Sequence, residues 1–158
     1  MHAHRYRSTL ALLAWVAFTF SATATSVFIA QNAWYAGLVK PTWNPPGWLF
    51  GPVWTLLYVL MGIAAWLIWR EGGWRVQRRP LGLYLAQWAL NALWTPLFFG
   101  LHRPGLAFAE IIVLDLAVLA TLIAFCRVKR LAGALLLPYL LWVAFATVLN
   151  GTIWWLNA

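Results

Sequence analysis

The sequence has few acidic residues and a single cysteine, and both shortages exclude kinds of protein. Only 3 of its 158 residues are Asp or Glu, and charged residues make up 9% of the chain, against about 25% in an average soluble domain. The single Cys126 excludes an internal disulfide and a metal site built from cysteines. His2, His4 and His102 have no ligand-like spacing with carboxylates, so we expect no bound metal.

The signatures of the familiar enzyme classes are missing as well. The chain has no Walker loop, no Rossmann glycine pattern and no nucleophile–base pair of the hydrolase kind. Its net charge of +8 comes from bases in short loops between apolar runs, a pattern of membrane topology and not of nucleic-acid binding. We therefore expect neither a classical enzyme nor a nucleic-acid partner.

The sequence does contain long runs of apolar residues. Hydrophobic residues make up 64% of the chain, more than a soluble domain of this size could bury, so lipid is the expected solvent. Five apolar runs are each close to the roughly 20 residues that span a bilayer. They predict a single domain over residues 1–158, an all-α membrane protein built as a five-transmembrane-helix bundle, with helices at about 9–30, 48–69, 81–100, 105–126 and 131–155.

The first run admits two interpretations. Arg5 and Arg7, followed by an apolar stretch and then Ala22-Thr23-Ala24, mimic a cleavable signal peptide. Apolar character continues through residues 27–30, however, which favours a retained helix.

The basic residues predict an orientation. Of the 11 bases, all but Lys40 and Arg103 fall on the side that carries the N-terminus and the second–third and fourth–fifth loops. The positive-inside rule then places the N-terminus in the cytoplasm and the C-terminus outside. This distribution fits direct insertion into a bacterial inner membrane.

Residues 41–54 form a segment of unusual composition, because three tryptophans and four prolines lie where one apolar run ends and the next begins. Proline stiffens the backbone, and tryptophan favours the membrane–water boundary. The pattern predicts a rigid loop at about 31–47 that caps one end of the bundle.

Three helix faces could either pack or hold a ligand. Aromatic spacing in the second run allows core packing or a flat wall for a planar ligand, and polar spacing in the third run allows interhelical hydrogen bonds or anchors inside a cavity. In the fifth run a small alanine between larger residues leaves room for a ligand or a neighbouring helix. The faces are Phe50, Trp54, Tyr58 and Met61; Gln87, Asn91 and Trp94; and Trp142, Ala146 and Leu149.

The remaining unusual residues have structural interpretations. Pro96 and Pro138 are expected to interrupt the third and fifth helices. Glu110 and Asp115 do not share a helix face and make a poor catalytic pair, so we expect Asp115 to be protonated and hydrogen-bonded to a neighbouring helix. Gly82 and Ala86 form a small-xxx-small pair that allows close helix approach, as in a dimer seam.

Three of these stretches together resemble the TspO family, the tryptophan-rich sensory proteins related to mitochondrial translocator protein. The resemblance spans nearly all five runs. It is carried by Trp43-Asn-Pro-Pro-Gly-Trp48-x-Phe50-x-x-x-Trp54, by Ala86-Gln87-x-x-x-Asn91-x-x-Trp94-x-Pro96-x-Phe98-Phe99-Gly100, and by Pro138-Tyr139-Leu140-x-Trp142-x-x-Phe145-Ala146-Thr147-x-Leu149-Asn150.

The resemblance implies a five-helix bundle, usually a homodimer, with a cavity beneath the first loop. It implies membrane lipid and porphyrins such as protoporphyrin IX and haem as partners, together with sterols and isoquinoline- or benzodiazepine-type drugs, and no required cofactor. Because some members occupy an outer membrane, that location stays an alternative. The expected ligand-binding residues are Trp43, Trp48, Phe50, Trp54, Tyr58, Gln87, Asn91, Trp94, Trp142, Ala146 and Leu149.

The resemblance leaves three functions open. A receptor or sensor for porphyrins comes first. Light-dependent porphyrin degradation comes second, because Trp54 and Trp142 match the tryptophans implicated in it. A porphyrin or lipid transporter comes last, since no inverted repeat is visible. The sequence departs from the family at the end of the fifth run, where the Tyr and Arg of the sterol-recognition motif are absent, which argues against high-affinity sterol binding.

Overall fold

The computed structural model describes residues 2–27 and 33–158, with side chains for residues 7–26 and 33–158, and this part of the chain is all helical. A 3₁₀ turn at Ser21–Thr23 follows the first helix, and a π turn at Pro96–Gly100 follows the sixth. The α-helices are α1 (His2–Phe20), α2 (Ala24–Val27), α3 (Ala33–Gly37), α4 (Gly47–Trp69), α5 (Gly73–Val76), α6 (Arg78–Thr95), α7 (Pro104–Val128), α8 (Arg130–Leu135) and α9 (Leu137–Leu156).

The predicted ends of some helices agree closely with the structure, and those of others do not. The predicted helices at 48–69 and 105–126 correspond to α4 and α7. The first helix begins earlier than expected, its predicted end at residue 30 lies outside the described residues, and so does the start of the predicted cap at residue 31. The last predicted helix, 131–155, is divided in the structure between α8 and α9.

The predicted count of five membrane crossings is only partly supported by helix length and composition. Four helical stretches of the described residues are long and apolar enough to cross a bilayer: Arg7–Ser26, Gly47–Trp69, Pro104–Val128 and Arg130–Leu156. Helix α6 is not among them. Its two initial arginines and the amides Gln87 and Asn91 lower its mean hydropathy.

The apolar and polar side chains are distributed as lipid solvation requires. Large apolar side chains on the outside of the helices are widely exposed, such as Leu56, Leu116 and Leu141, each about 60% accessible (58%, 62% and 63%). Polar side chains such as Gln87, Asn91 and Asn150 are buried instead. Because a bilayer core offers no water to polar groups, they have to find partners inside the bundle.

Close helix contacts form the core of the bundle. Helix α1 packs on α4, and α7 packs between α6 and α9. A Cβ at Gly62 would lie 2.6 Å from the Val16 Cα, so glycine is what allows α4 to approach α1 this closely. The main apolar core, which includes Met61, Ile68 and Phe125, lies toward the end of the bundle away from the segment before α4.

The two prolines expected to interrupt helices behave differently. Pro96 begins the π turn, where the Leu101 N–H donates to the Pro96 carbonyl at 2.9 Å. Pro138 instead lies in the first turn of α9, where a missing N–H costs nothing. The predicted fifth helix is therefore interrupted next to Pro138, as expected, and the break lies at Leu136 between α8 and α9.

Candidate functional site

A cavity of about 670 Å³ lies at the end of the bundle where the chain enters α4. Helices α4, α6, α7 and α9 form its walls, and residues 33–46, here called the cap, cover it. Most of the residues predicted to bind ligand line this cavity: Phe50, Trp54, Tyr58, Asn91, Trp94, Trp142, Ala146 and Leu149.

Aromatic rings form a large part of the cavity wall. Trp54 and Tyr58, one turn apart on α4, hold their rings 5.3 Å apart at an angle of 31°. Trp142 on α9 meets Phe50 edge to face, with ring centroids 5.8 Å apart. The aromatic stripe on α4 thus faces the cavity as far as Tyr58, whereas Met61 is fully buried in the core.

A chain of hydrogen bonds closes the deep end of the cavity. The Tyr58 hydroxyl donates to Asn91 Oδ1 at 2.7 Å, Asn91 Nδ2 donates to the Tyr139 hydroxyl at 2.9 Å, and that hydroxyl donates to Gln87 Oε1 at 2.9 Å. The chain joins α4, α6 and α9. Asn91 therefore links helices and also lines the cavity, while its role as a ligand anchor stays a prediction.

A second amide holds the wall nearer the cap. Trp94 Nε1 donates to Asn150 Oδ1 at 2.9 Å, and Asn150 Nδ2 donates to the Pro104 carbonyl at 2.9 Å. Asn150 thereby fixes the indole of α6 against α9 and the start of α7. Asn150 belongs to the family-like motif of the fifth run, but its spacing alone gave no reason to assign it a site role.

The cap contributes polar groups to the mouth of the cavity. Tyr35, Asn44 and Pro45 line it. Lys40 Nζ lies 4.6 Å from the centre of the Tyr35 ring and donates to the Leu38 carbonyl at 3.0 Å. Burial raises the pKa of the Tyr35 hydroxyl above its usual value, while a hydrogen bond with the Asn44 side chain opposes this shift.

Three predicted binding residues lie outside the cavity lining. Trp48 is 73% exposed, and Trp43 is 46% exposed with its ring against Phe145. Gln87 is buried beneath the cavity, where it accepts from Tyr139. A ligand-binding role for these residues stays a prediction, and the geometry gives Gln87 a supporting position below Asn91.

The structure adds lining residues that the sequence analysis did not single out. Phe98 and Phe99 belong to a motif noted in the third run, but residues on α1 and α2 gave no signal, because their contact with the cavity depends on how α1 leans on α4. Besides the three cap residues, the additional residues are Phe20, Thr23, Ser26, Gly47, Gly51, Thr55, Thr95, Phe98, Phe99, Ile111, Leu114, Val143, Asn150 and Ile153.

Among the side chains that the structure describes, no Asp, Glu, His or Cys lines this cavity. Among residues 7–26 and 33–158 no group of three His, Cys, Asp or Glu side chains could hold a metal ion. Glu110 is buried with both carboxyl oxygens unpartnered within the described part of the chain, and neither it nor Asp115 lines the cavity. The expected hydrogen bond from Asp115 to a neighbouring helix is not seen, and its Oδ1 is buried without a partner among those residues.

The chain is similar to known proteins over most of its length. The chain matches the TspO/MBR family over residues 8–156. It is 47% identical to human translocator protein over 123 residues, 77% of this chain and 73% of that protein. It is also 47% identical to the tryptophan-rich protein TspO of Archaeoglobus fulgidus over 137 residues, 85% and 88% of the two chains, and 42% identical to protein CrtK of Rhodobacter capsulatus over 140 residues, 86% of each.

Proposed function

The chain belongs to the TspO/MBR family of integral membrane proteins, and we propose that it is a receptor that binds porphyrins in the cavity beneath the cap. The observation that carries the proposal is that Trp54 and Trp142, on different helices, line one cavity that ends in the Tyr58–Asn91–Tyr139 hydrogen bonds. An extended apolar wall with a few fixed polar groups is how proteins hold flat apolar ligands.

Size and chemistry both support a tetrapyrrole. The volume of about 670 Å³ lies within the roughly 300–1,000 Å³ of small-molecule sites. The indoles of Trp54, Trp94 and Trp142 offer faces for stacking on a macrocycle. Lys40 is the one base of the described cap, and it lies beside Tyr35 at the mouth, where it can face the acidic edge of a porphyrin.

The lining also bears on the form of the porphyrin. None of the lining side chains in the described part of the chain is His, Cys or Met, the usual iron ligands. Met61 is fully buried and His102 stacks on Trp34 outside the lining. We propose that the ligand is held by ring stacking and by its edges, with no His, Cys or Met ligand to a central metal.

The bundle itself forms part of the proposal. Helix α6 is flanked by α4 and α7, and its amides Gln87 and Asn91 are buried, so we propose that it is the fifth crossing despite its low hydropathy. A Cβ at Gly82 would meet no atom within 4 Å, and Ala86 is exposed, which leaves room on this face of α6 for a second copy in a homodimer.

A second candidate function is light-driven porphyrin degradation. It is favoured by the position of Trp54, whose ring lies 5.3 Å from Tyr58 and 6.2 Å from Tyr139. A photoexcited porphyrin can take one electron from an adjoining indole. Dioxygen would then add across a C=C bond of a meso bridge and break it into two carbonyl groups, and the electron would return to the indole radical cation. Loss of porphyrin absorbance under illumination in air, compared between the wild type and a Trp54→Phe/Trp142→Phe variant, separates this activity from binding alone.

Porphyrin titration tests the receptor function. Purified protein is titrated with protoporphyrin IX while tryptophan fluorescence is followed, and we expect saturable quenching. Trp54→Phe with Trp142→Phe should weaken binding at least about tenfold, the equivalent of 1.4 kcal/mol. Trp74→Phe is the matched control, because Trp74 is exposed at the opposite end of the bundle and lies outside the cavity. Equal affinity in the double variant and the control would contradict the proposed site.

A further inference from the structure

The end of the bundle opposite the cap carries a surface rich in arginine. We call it the basic surface, and it consists of Arg70, Arg75, Arg78, Arg79, Arg127, Lys129 and Arg130, of which all but Lys129 are exposed. These residues come from two stretches at this end, 70–79, which runs from the end of α4 into α6, and 127–130, which runs from the end of α7 into α8. Lys129 Nζ and Glu71 Oε1 join the two stretches at 2.8 Å.

The charge of this surface cannot be neutralised from within the chain. The sequence has only 3 acidic residues, and Glu71, the one at this end, already pairs with Lys129. Glu110 and Asp115 lie earlier in α7, away from this end. Asp115 is about 18 Å from Arg127 at the helical rise of roughly 1.5 Å per residue. The exposed arginines therefore need anions from outside the chain.

The stretch 70–79, which carries four of the six arginines, is folded throughout. Gly72 and Gly73 have φ values of 121° and 67°, a left-handed backbone that glycine adopts without strain. Gln77 Nε2 donates to the Glu71 carbonyl at 2.9 Å, and the Gln77 N–H donates to the Gly73 carbonyl at 3.0 Å. This geometry fixes α5 at the end of the bundle.

Helix α5 places apolar groups beside the charges. Trp74 is 45% exposed and Val76 is 68% exposed, on either side of Arg75. Trp74 follows the end of α4, a membrane-length helix, by only a few residues. An indole at that level lies where tryptophan is favoured, between lipid headgroups and acyl chains.

We propose that the basic surface binds the phosphate headgroups of anionic phospholipids in the leaflet at this end of the bundle, with Trp74 inserted beneath them. The lipid is the partner that the geometry favours, because residues flanking membrane-length helices already lie at headgroup depth. Clustered Lys and Arg next to a membrane helix attract anionic headgroups. A nucleic acid would match the charge but leave Trp74 without an apolar environment.

The test uses the full chain in nanodiscs of phosphatidylcholine with a rising fraction of phosphatidylglycerol. We expect the thermal unfolding midpoint of the wild type to rise with the anionic fraction, and the rise to shrink in high salt, which screens charges beyond a few ångströms. In Arg75→Gln/Arg78→Gln/Arg79→Gln most of this rise should be lost. The control, Lys40→Gln/Arg103→Gln, removes bases at the opposite end and should keep it.

The outcomes separate clearly because both leaflets of the nanodisc hold the same lipids. An equal rise in the wild type and the triple variant, or no rise in either, would overturn the proposal. So would an oligonucleotide that displaces phosphatidylglycerol and raises the midpoint as much. If the triple variant does not fold, the three single substitutions replace it, and each should remove part of the rise. Protoporphyrin affinity should be equal in the triple variant and the wild type, since the cavity is at the other end.

Discussion

The side chain of Asn157 pairs with the backbone of Val39 although the two residues are 118 positions apart in the chain. The Val39 N–H donates to Asn157 Oδ1 at 2.9 Å, and Asn157 Nδ2 donates to the Val39 carbonyl at 2.9 Å. The same amide nitrogen also donates to the Ile153 carbonyl at 2.7 Å. The cap is thus tied to the end of α9, the helix that carries Trp142 and Ala146.

Asn157→Ala is predicted to loosen the cap without unfolding the bundle. Both hydrogen bonds to Val39 are exposed, and each would contribute at most about 1 kcal/mol. We expect bound protoporphyrin to dissociate several times faster, measured by stopped-flow fluorescence, with little change in the unfolding midpoint. Asn157→Asp keeps the acceptor and loses the donor, and should fall between the two. Dissociation rates that do not differ among the three proteins would mean that the cap does not retain the ligand.

Tyr139→Phe is predicted to destabilise the fold more than Tyr58→Phe. The Tyr139 hydroxyl accepts from Asn91 and donates to Gln87, so its loss leaves two buried amides short of a partner. Such a loss costs about 1–3 kcal/mol per group. The Tyr58 hydroxyl makes one of these bonds, to Asn91. Denaturant unfolding in detergent measures both variants, and the reverse order would show that the hydrogen-bond chain is not what holds the deep end of the cavity.

Ala146→Trp is predicted to fill the cavity and block the ligand. Ala146 is a small residue of the lining, and an indole there would occupy space now open next to Trp142. Protoporphyrin affinity should fall more than about tenfold, or 1.4 kcal/mol, while the protein remains folded. Ala109→Trp is the matched control, because Ala109 is exposed on α7 and lies outside the cavity. A normal affinity in Ala146→Trp would place the binding site elsewhere.

Ferric haem is predicted to bind without a histidine, cysteine or methionine ligand, since the described lining has none. The Soret band should be the same in the wild type and in His102→Ala. Leu114→His, which introduces an imidazole into the lining, should shift the band to that of histidine-ligated haem. A histidine-type spectrum in the wild type that disappears in His102→Ala would contradict the proposed mode of binding.

Helix periodicity explains which parts of the site could be predicted. Phe50, Trp54 and Tyr58 share one face of α4. Because this face is turned toward the cavity, all three residues line it. Trp48 lies two residues before Phe50, about 200° around the helix at 3.6 residues per turn, and therefore points outward. The composition of the 41–54 segment indicated a cap, but it did not separate the residues that line the cavity from those that face away.

The contacts that the sequence could not predict depend on the relative rotation of distant helices. Tyr139 joins α6 to α9 only because both helices turn a polar face to the same point. The Asn157–Val39 pair depends on where the cap meets the end of α9. The low hydropathy of α6 could be traced in the sequence to Gln87 and Asn91. Both amides are buried, so the inside of the bundle is partly polar while its outside is apolar.

The position of bound porphyrin tests the central claim most directly. Crystals of the protein grown with zinc protoporphyrin IX would show the zinc as an anomalous-scattering peak. Such a peak locates the metal directly. The account predicts a peak inside the cavity bounded by Trp54, Asn91 and Trp142. A peak on the outer groove between Phe108 and Trp154, with the cavity empty of porphyrin, would contradict it.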